Sequence, residues 1–326
     1  MIHHTSVLVS ETLESLKIHP GDWICDCTVG AGGHSLEFLK ATGPKGLVVG
    51  IDQDPDALKI ANQTLSANFF FNNYYLMHGN FSDLKNLLNR HQITENRLFD
   101  VIFADIGVSS MQLDTPERGF SFRKDGPLDM RMGNISPHPE YPTAYDFING
   151  APLELLVKVF RHYGEEQFSK NYAIKICEAR EREPFSSTLQ LAEFIKSLNR
   201  YKASSKKHPA TKIFQAVRIF INRELEALEA LINQSLELLK PGGKLAIITF
   251  HSLEDRIVKE LYLKLSDKNP DLKYPREVPL THQEITSKVK TKGHIIKPFP
   301  MKPTMHEVAS NPRARSAKLR VFAKSL

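Results

Sequence analysis

The sequence predicts an α/β protein with a doubly wound, mostly parallel sheet that is interrupted by an inserted helical segment. Three observations predict this fold class. Short apolar runs alternate with helical patterns as far as Ile106, the alternation then stops, and it returns beyond residue 210. Alternating strands and helices build a parallel sheet with helices on both faces.

Four apolar runs predict the buried strands of the first part. They read WICDCT at 23–28, GLVVGID at 46–52, YYLMHG at 74–79 and FDVIFADIG at 99–107. The stretches that follow the first three runs, HSLEFLKAT, DPDALKIANQTL and FSDLKNLLNRH, have helical spacing. This order of elements gives parallel neighbours in one sheet.

The middle of the chain predicts a helical insertion. From Gly107 to about Asn149 the sequence is rich in Gly, Pro, Asp and Arg without a sustained period, which indicates a functional loop or an insertion. Helical spacing resumes in PLELLVKVFRHYG, SKNYAIKICEARE and STLQLAEFIKSLN, and the basic stretch 200–212 follows. We expect an inserted helical domain at 113–209 and an α/β domain formed by 1–112 and 210–326.

The last part predicts the return of the sheet. FQAVRIFINRELEALEALINQSLELL has the pattern of one long amphipathic helix that PGG stops, and KLAIITF at 244–250 predicts a buried strand. SLEDRIVKELYLKL predicts a helix with a capping box from Ser252 to Asp255. HEVAS and AKLRVFA, separated by NPRAR, predict a closing antiparallel pair.

The net charge of +6 is unevenly distributed along the chain. Residues 1–112 hold seven Lys or Arg against twelve Asp or Glu, whereas residues 285–326 hold ten Lys or Arg against Glu307 alone. A basic arm on an acidic body is typical of a protein that binds a polyanion such as nucleic acid. An ordinary basic surface is the alternative.

Several classes of protein are disfavoured by composition. No run approaches the roughly 18 apolar residues of a membrane span, and the first residues lack the features of a signal peptide, so we expect a cytoplasmic protein without membrane contact. Cys25, Cys27 and Cys177 form neither a CxxC pair nor a disulfide framework. His3 and His4 lack partners at ligand spacing, and we expect no metal.

A glycine-rich turn, TVGAGGHS, lies between the first strand and the following helix, where α/β sheets bind cofactors. The candidate ligands are a dinucleotide and S-adenosylmethionine. The dinucleotide fingerprint GxGxxG requires a third glycine, but after Gly30 and Gly32 that position is Ser35. The pattern therefore favours S-adenosylmethionine.

Acidic residues end three of the predicted strands. Asp26 would repel a pyrophosphate and attract the positive charges of S-adenosylmethionine, unless it only caps the turn. Asp52 suits the ribose hydroxyls of either ligand. Asp105 is expected at the mouth where the donor methyl and an acceptor would meet, whereas Asp54 and Asp56 predict a solvated turn that caps the next helix.

Several long motifs occur in a fixed order along the chain. They are DCTVGAGGHS, GIDQDPDAL, DIGVSSMQLDTPERGFSFRKDGPLDMRM, KHPATKIFQAVRIFINREL, GGKLAIITFHSLEDRIVK and NPRARS, with HHTSVL near the start. Together they resemble the bacterial 16S ribosomal RNA cytosine-N4 methyltransferase family, called MraW or RsmH. The resemblance is weakest at about 265–300 and inside the insertion.

The resemblance implies a class I methyltransferase fold, Rossmann-like with an antiparallel terminal strand, in which the helical domain recognises the substrate. It implies S-adenosylmethionine as methyl donor and 16S rRNA of the small ribosomal subunit as partner, with N4-methylcytidine in the decoding centre as product. The donor contacts implied by the matching positions are Gly32, Gly33, His34, Asp52, Phe81, Asp105 and Gln112. Asn80 stands where some relatives have proline.

The group that accepts a hydrogen bond from the target amine stays unidentified. Many amino-methyltransferases have an Asp/Asn-Pro-Pro-aromatic motif after the fourth strand, but this chain has Asp105 followed by IGV. Ser109, Ser110, Asp129 and His251 are further candidates. Asp129 is expected to hold its own loop through an arginine, and a helix cap is the ordinary alternative for His251.

Three phenylalanines each have two interpretations. Phe81 follows the third strand, where it suits either an adenine or the core. Phe120 and Phe122 suit either stacking on an extruded base or anchoring of the long loop.

The sequence leaves other functions and the oligomeric state open. The chain could methylate another RNA or a protein, or be a non-catalytic RNA-binding assembly factor. An NAD-dependent dehydrogenase is disfavoured by Asp26 and by the missing third glycine. A homodimer is neither required nor excluded.

Overall fold

The computed structural model describes residues 6–68, 73–93, 97–133, 138–198, 208–266 and 291–326. The chain forms two compact units. One comprises the residues up to Gly107 together with Leu225–Leu326, and the other is Val108–Glu224. The prediction placed these limits at 113 and 209, so the helical unit is longer at both ends than the sequence indicates.

Seven strands of the first unit form one sheet. They are β1 (Trp23–Asp26), β2 (Leu47–Asp52), β3 (Tyr74–His78), β4 (Phe99–Asp105), β5 (Leu239–Thr249), β6 (Gly293–Met301) and β7 (Lys318–Lys324). Their order is β3-β2-β1-β4-β5-β7-β6. Strands β1 to β5 pair in parallel, whereas β7 is antiparallel to both β5 and β6. This confirms the doubly wound sheet with an antiparallel strand that the sequence predicts.

Helices connect the strands and build the second unit. In chain order they are α1 (Val9–Leu16), α2 (Gly33–Thr42), α3 (Pro55–Asn68), α4 (Leu84–Arg90), α5 (Ser110–Asp114), α6 (Ala144–Gly150), α7 (Leu153–His162), α8 (Ser169–Arg180), α9 (Thr188–Ser197), α10 (Ala210–Asn222), α11 (Glu224–Leu238), α12 (Ser252–Leu265) and α13 (Met305–Ser310). Among the described residues, no helix combines the length and the apolar character needed to cross a membrane.

Strands β1, β2 and β4 are buried on both faces, which is why they are continuously apolar. β3 lies at the edge of the sheet and has Met77 as its one buried residue, so the prediction of a buried strand is wrong there. Ile24 and Cys25 are successive residues of β1, and their side chains point to opposite faces. Ile24 belongs to the core that contains Phe38 of α2, whereas Cys25 belongs to the core that contains Leu231 of α11. The apolar runs of the sequence therefore predict these strands well.

Two predictions for the last part of the chain are wrong. The predicted long helix is two helices, α10 and α11, because Arg223 between them adopts a left-handed conformation with φ 48°. HEVAS is helix α13 and not a strand, because the Thr304 hydroxyl accepts the Glu307 N–H at 3.1 Å and caps a helix there. The antiparallel neighbours of β7 are instead β5 and β6.

The second unit is a helical module centred on α10. This helix packs against α6, α7 and α9, and its Ile213 and Val217 are fully buried in the core of the unit. The core includes Phe120, and the Phe122 ring lies 4.8 Å from the Phe214 ring. The structure therefore supports the anchoring interpretation for Phe120 and Phe122.

The long loop before α6 is tied to α10 by one buried side chain. Asn222 accepts the Met132 N–H at 2.9 Å and donates to the Met130 carbonyl at 2.8 Å. It also donates to the Arg218 carbonyl at 2.9 Å. Asn149 makes a similar set of three backbone hydrogen bonds, but its side chain is partly exposed.

We expect Asn222→Leu to lower the free energy of unfolding of the helical unit by about 3 kcal/mol, because buried backbone groups lose their partners. Asn149→Leu is the matched control. It should cost about 1 kcal/mol, because water can replace the lost partners. Urea unfolding followed by far-UV circular dichroism measures both. Equal costs for the two variants would contradict the role assigned to Asn222.

Candidate functional site

The glycine-rich turn lies at the carboxyl ends of the parallel strands. It follows β1, which ends at Asp26, and leads into α2 at Gly33. Asp52 ends β2 and Asp105 ends β4, the two strands that flank β1 in the sheet. The acidic residues predicted from the sequence are thus at the ends of three adjacent strands, which is the edge where α/β sheets bind ligands.

The three glycines of the turn serve different purposes. A Cβ on Gly32 would lie 3.3 Å from the Ala61 Cα, and a Cβ on Gly33 would overlap the Ser6 hydroxyl. Gly32 and Gly33 therefore make room for α3 and for the N-terminal segment of the protein itself. Gly30 has φ 53°, and the nearest atom to a Cβ there is the Thr28 carbonyl oxygen at 3.8 Å. Of the three, only Gly30 would tolerate a Cβ without a close contact among the described residues, although its positive φ still favours glycine.

Asp26 is buried beneath the turn and is hydrogen-bonded on both oxygens. It accepts the Ser35 hydroxyl at 2.7 Å and the Thr28 N–H at 3.1 Å. Burial raises the pKa of Asp26 to about 6, although these two hydrogen bonds oppose the shift. These contacts match the turn-capping interpretation, and an electrostatic role toward a ligand stays a hypothesis.

Asp52 shapes the turn through the backbone. One carboxylate oxygen accepts the Gly30 N–H at 2.9 Å and the other accepts the Asp54 N–H at 2.9 Å. Burial raises the pKa of Asp52 to about 6, against the effect of these hydrogen bonds. Asp54 is only 2% exposed, so the prediction of a solvated residue is wrong for Asp54, whereas Asp56 is exposed as predicted. Its carboxylate accepts the Asp56 N–H at 3.1 Å and helps to start α3.

Asp105 has an oxygen without a protein partner. Its backbone N–H donates to the Thr28 hydroxyl at 2.6 Å, but its Oδ1 is buried and has no hydrogen-bond partner in the described part of the chain. Its Oδ2 lies 3.9 Å from Nδ1 of His34. Burial, with the charges of Asp26 and Glu254 adding to it, raises the pKa of Asp105 to about 8. A carboxyl group in this setting favours a cationic or hydrogen-bond-donating ligand.

His34 faces inward rather than toward the open space of the turn. The residue is only 6% exposed, and its ring centroid lies 4.6 Å from that of Phe103. Its Nε2 lies 3.0 Å from the Val7 carbonyl oxygen. A carbonyl can only accept, so Nε2 carries the hydrogen.

Phe81 begins a 3₁₀ turn, Phe81–Asp83, directly after β3. The ring is half-buried and packs against the core on one face of the sheet. Asn80 caps this turn by accepting the Ser82 N–H at 2.8 Å, and its amide donates to Gln53 Oε1 at 2.7 Å. The core interpretation of Phe81 is therefore satisfied, and a contact with adenine stays a prediction.

His251 caps α12 through Nδ1, whereas its Nε2 has no hydrogen-bond partner in the described part of the chain. Its Nδ1 accepts the Glu254 N–H at 3.5 Å, and its Nε2 lies 2.8 Å from Glu254 Oε1. The fully buried Glu254 also accepts the Phe250 N–H at 2.8 Å. The capping box thus runs from His251 to Glu254 and not from Ser252 to Asp255 as predicted. These contacts favour the helix-cap interpretation of His251 over a catalytic base.

Gln112, Ser109 and Asp129 lie in the helical unit. Gln112 forms a capping box with Ser109 at the start of α5: its Oε1 accepts the Ser109 N–H at 3.0 Å, and the Ser109 hydroxyl accepts the Gln112 N–H at 3.2 Å. Asp129 is bound by the Arg131 guanidinium at 2.6 Å, as predicted, and this pairing holds the pKa of Asp129 below its usual range against the opposing effect of burial. Ser110 is buried in α5. A contact of Gln112 with a donor stays a prediction.

Sequence reasoning misses two contacts that shape this site. Val7 supplies the carbonyl that fixes His34, and Glu307 Oε1 accepts the Leu8 N–H at 2.7 Å. The signal in the sequence is the N-terminal motif HHTSVL, whose residues do not indicate which backbone groups would bind His34 or Glu307. Glu254 is the third missed residue, and its position three after His251 is the signal that could have found it.

Comparison with known proteins identifies the family. The model of the MraW methylase family matches residues 1–325. The Ribosomal RNA small subunit methyltransferase H of Coxiella burnetii (strain Dugway 5J108-111) is 42% identical over 322 residues, which cover 98% of each protein. The protein of that name from Legionella pneumophila (strain Paris) is 41% identical over 324 residues, 99% of each.

One solved structure, an rRNA methylase from Streptococcus thermophilus, covers 100% of this chain and 99% of its own. Its TM-score of 0.41 and identity of 10% are too low to support an argument. The family match covers almost the whole chain, and it agrees with the ordered motifs and with the sheet topology. The chain belongs to the MraW methylase family.

Proposed function

We propose that this protein transfers a methyl group from S-adenosylmethionine to the N4 amine of a cytidine in the decoding centre of 16S rRNA, within the small ribosomal subunit. Membership of the methylase family supports methyl transfer, and the names of the relatives support small-subunit ribosomal RNA as the substrate. The observation that carries the proposal is the set of carboxyl groups at the glycine turn, one buried and two partly exposed, in which Oδ1 of Asp105 has no hydrogen-bond partner among the described residues.

The charge of this site suits a cationic donor. Asp26, Asp52 and Asp105 all have raised pKa values, chiefly because burial disfavours their charged forms and to a lesser extent because neighbouring carboxylates repel them. A pyrophosphate would add negative charge to the same place, whereas the sulfonium and ammonium groups of S-adenosylmethionine would stabilise the carboxylates. The carboxyl groups of the site therefore favour a cationic methyl donor over a dinucleotide.

Particular residues would hold the donor. No described atom would lie closer than 3.8 Å to a Cβ on Gly30, so a ligand could approach the backbone there. Each Asp52 oxygen has a second lone pair, which suits a ribose hydroxyl as donor. We propose donor contacts at Gly32, Gly33, His34, Asp52, Phe81, Asp105 and Gln112. For Gly33 this is a backbone contact at the start of α2, where N–H groups lack helical partners. The Gly32 N–H already donates to the Val29 carbonyl at 2.8 Å, so a contact there would use another part of its backbone.

The reaction forms a bond between the cytosine N4 and the methyl carbon while the bond from that carbon to sulfur breaks. The amine lone pair supplies the electrons, S-adenosylhomocysteine leaves with the electron pair of the carbon–sulfur bond, and the extra proton on nitrogen then passes to solvent. The enzyme aligns the two reactants and excludes water. The methyl donor supplies the leaving group, so the chain itself needs only to position the amine and accept a hydrogen bond from it.

The basic arm supports RNA as the acceptor. Arg313 and Arg315 are exposed in the 3₁₀ turn Pro312–Ser316, which follows α13. The other basic stretch, which includes Lys206 and Lys207, lies largely outside the described residues. The helical unit is proposed to recognise the substrate. Cytoplasmic location, the absence of a metal and a homodimer stay predictions.

We expect donor affinity to rise with pH between about 6 and 8 and then level off. Asp105 is largely protonated below its pKa of about 8, and a positively charged donor favours the ionised form, so binding releases a proton. Asp105→Asn should weaken binding and flatten the rise above pH 7. Calorimetric titration of S-adenosylmethionine at several pH values tests this. A wild-type affinity that falls over this range would contradict the charge argument.

We expect Arg315→Glu to weaken binding to small-subunit RNA and to reduce its salt dependence by about one unit of slope, because one phosphate contact is lost. Donor affinity should not change. Lys59→Glu is the matched control, since Lys59 is an exposed lysine of α3 paired with Asp56 and the change of charge is equal. Filter binding at several salt concentrations measures both variants. Equal loss in the control would show a general charge effect.

The decisive experiment is transfer of labelled methyl from S-adenosylmethionine to small ribosomal subunits that lack the modification, followed by nucleoside analysis. We expect N4-methylcytidine to carry the label. Label on another nucleoside, or on protein, would redirect the proposal to a different acceptor. Donor binding and RNA binding without any transfer would favour the non-catalytic assembly factor.

A further inference from the structure

The N-terminal segment, residues 6–8, lies against the first turn of α2. The Val7 carbonyl accepts a hydrogen bond from His34 Nε2 at 3.0 Å, and the Ser6 hydroxyl fills the space beside Gly33. Val7 is 5% exposed and Leu8 is fully buried. The segment therefore packs against the end of the glycine turn.

This segment has a conformation that needs support. Leu8 adopts the left-handed region, with φ 56° and ψ 32°, which is uncommon for a residue other than glycine. Leu8 stands at the N-cap of α1 but has no side-chain acceptor to stabilise the helix start. Its backbone N–H donates instead to Oε1 of Glu307, a residue of α13, at 2.7 Å. A hydrogen bond to a carboxylate is among the stronger ones in proteins.

The same segment fixes the state of His34. Because the Val7 carbonyl holds a hydrogen on Nε2, Nδ1 is the ring nitrogen left facing Asp105, whose Oδ2 is 3.9 Å away. A histidine that loses its carbonyl partner can exchange tautomers and turn its ring. The surroundings of Asp105 thus depend on where Val7 lies.

We propose that Glu307 is a positioning residue of the donor site, which holds Leu8 so that the Val7 carbonyl keeps His34 in one tautomer beside Asp105. This inference rests on the proposed function, in which that site binds S-adenosylmethionine. Glu307 acts through the N-terminal segment and touches neither His34 nor Asp105 in any described contact.

The test compares Glu307→Ala with Glu307→Gln. Glutamine keeps an oxygen that can accept the Leu8 N–H, so we expect near wild-type donor affinity, whereas alanine should weaken it roughly tenfold, about the value of one charge-assisted hydrogen bond. Thr304→Ala is the matched control, because it removes the cap of α13 and leaves the Glu307 side chain in place. Calorimetry with S-adenosylmethionine measures all three variants.

A second measurement separates positioning from simple loss of structure. In protein labelled with ¹⁵N-histidine, the ring nitrogens of His34 should show one tautomer in the wild type and in Glu307→Gln. They should show a mixture in Glu307→Ala. His34→Asn identifies the signals. Thr304→Ala removes the cap of α13 but keeps the Glu307 side chain, so it should leave the tautomer unchanged.

The outcomes distinguish this inference from the proposed function. If the wild type fails to bind S-adenosylmethionine, the proposed function is overturned. If the wild type binds the donor and Glu307→Ala binds it equally well with His34 in one tautomer, the positioning role is overturned. If Thr304→Ala reproduces both effects of Glu307→Ala, the role belongs to the helix as a whole and the inference fails.

Discussion

The cost of burying carboxyl groups at the ends of neighbouring strands is the constraint on which the candidate site depends. Asp26, Asp52 and Asp105 end three adjacent strands, and burial makes the charge on each of them costly. The backbone of the glycine turn and the hydroxyl of Ser35 offset part of this cost by donating hydrogen bonds. Asp105 is left with the least compensation, so the electrostatic cost is concentrated where a ligand can relieve it. The turn is thus built around its acidic residues as much as around its glycines.

The fold is predictable because its signals are local. Continuous apolar runs give strands buried on both faces, and helical patterns between them give the parallel order. The edge strand β6 is the part that a local pattern cannot give: its sequence GHIIKPFPM contains two prolines, which disfavour a strand except at the edge of a sheet. The break at Arg223 is equally hidden, since arginine gives no sign of a left-handed conformation.

For the candidate site, the sequence predicts where the acidic residues and the glycine turn lie, but not which residues contact them. The positions of Asp52 and Asp105 follow from strand ends, and a cofactor-binding turn follows from the glycines. The partners of those residues do not, because each is far away in sequence: Val7 reaches His34, and Glu307 reaches Leu8, through the folding of the whole first unit. The glycines illustrate the same limit. Close approach explains Gly32 and Gly33, but what approaches them is the protein itself.

The division of the sheet also constrains how the protein is made. Strands β4 and β5 are parallel neighbours, yet the whole helical unit lies between them in the chain. During synthesis the helical unit emerges as one continuous piece, before β5 exists to cover the exposed side of β4. The free edge of β4 therefore stays exposed until β5 has been synthesised, and an exposed strand edge is prone to pair with other chains. A helical unit that folds early and unaided would shorten that vulnerable interval on the ribosome.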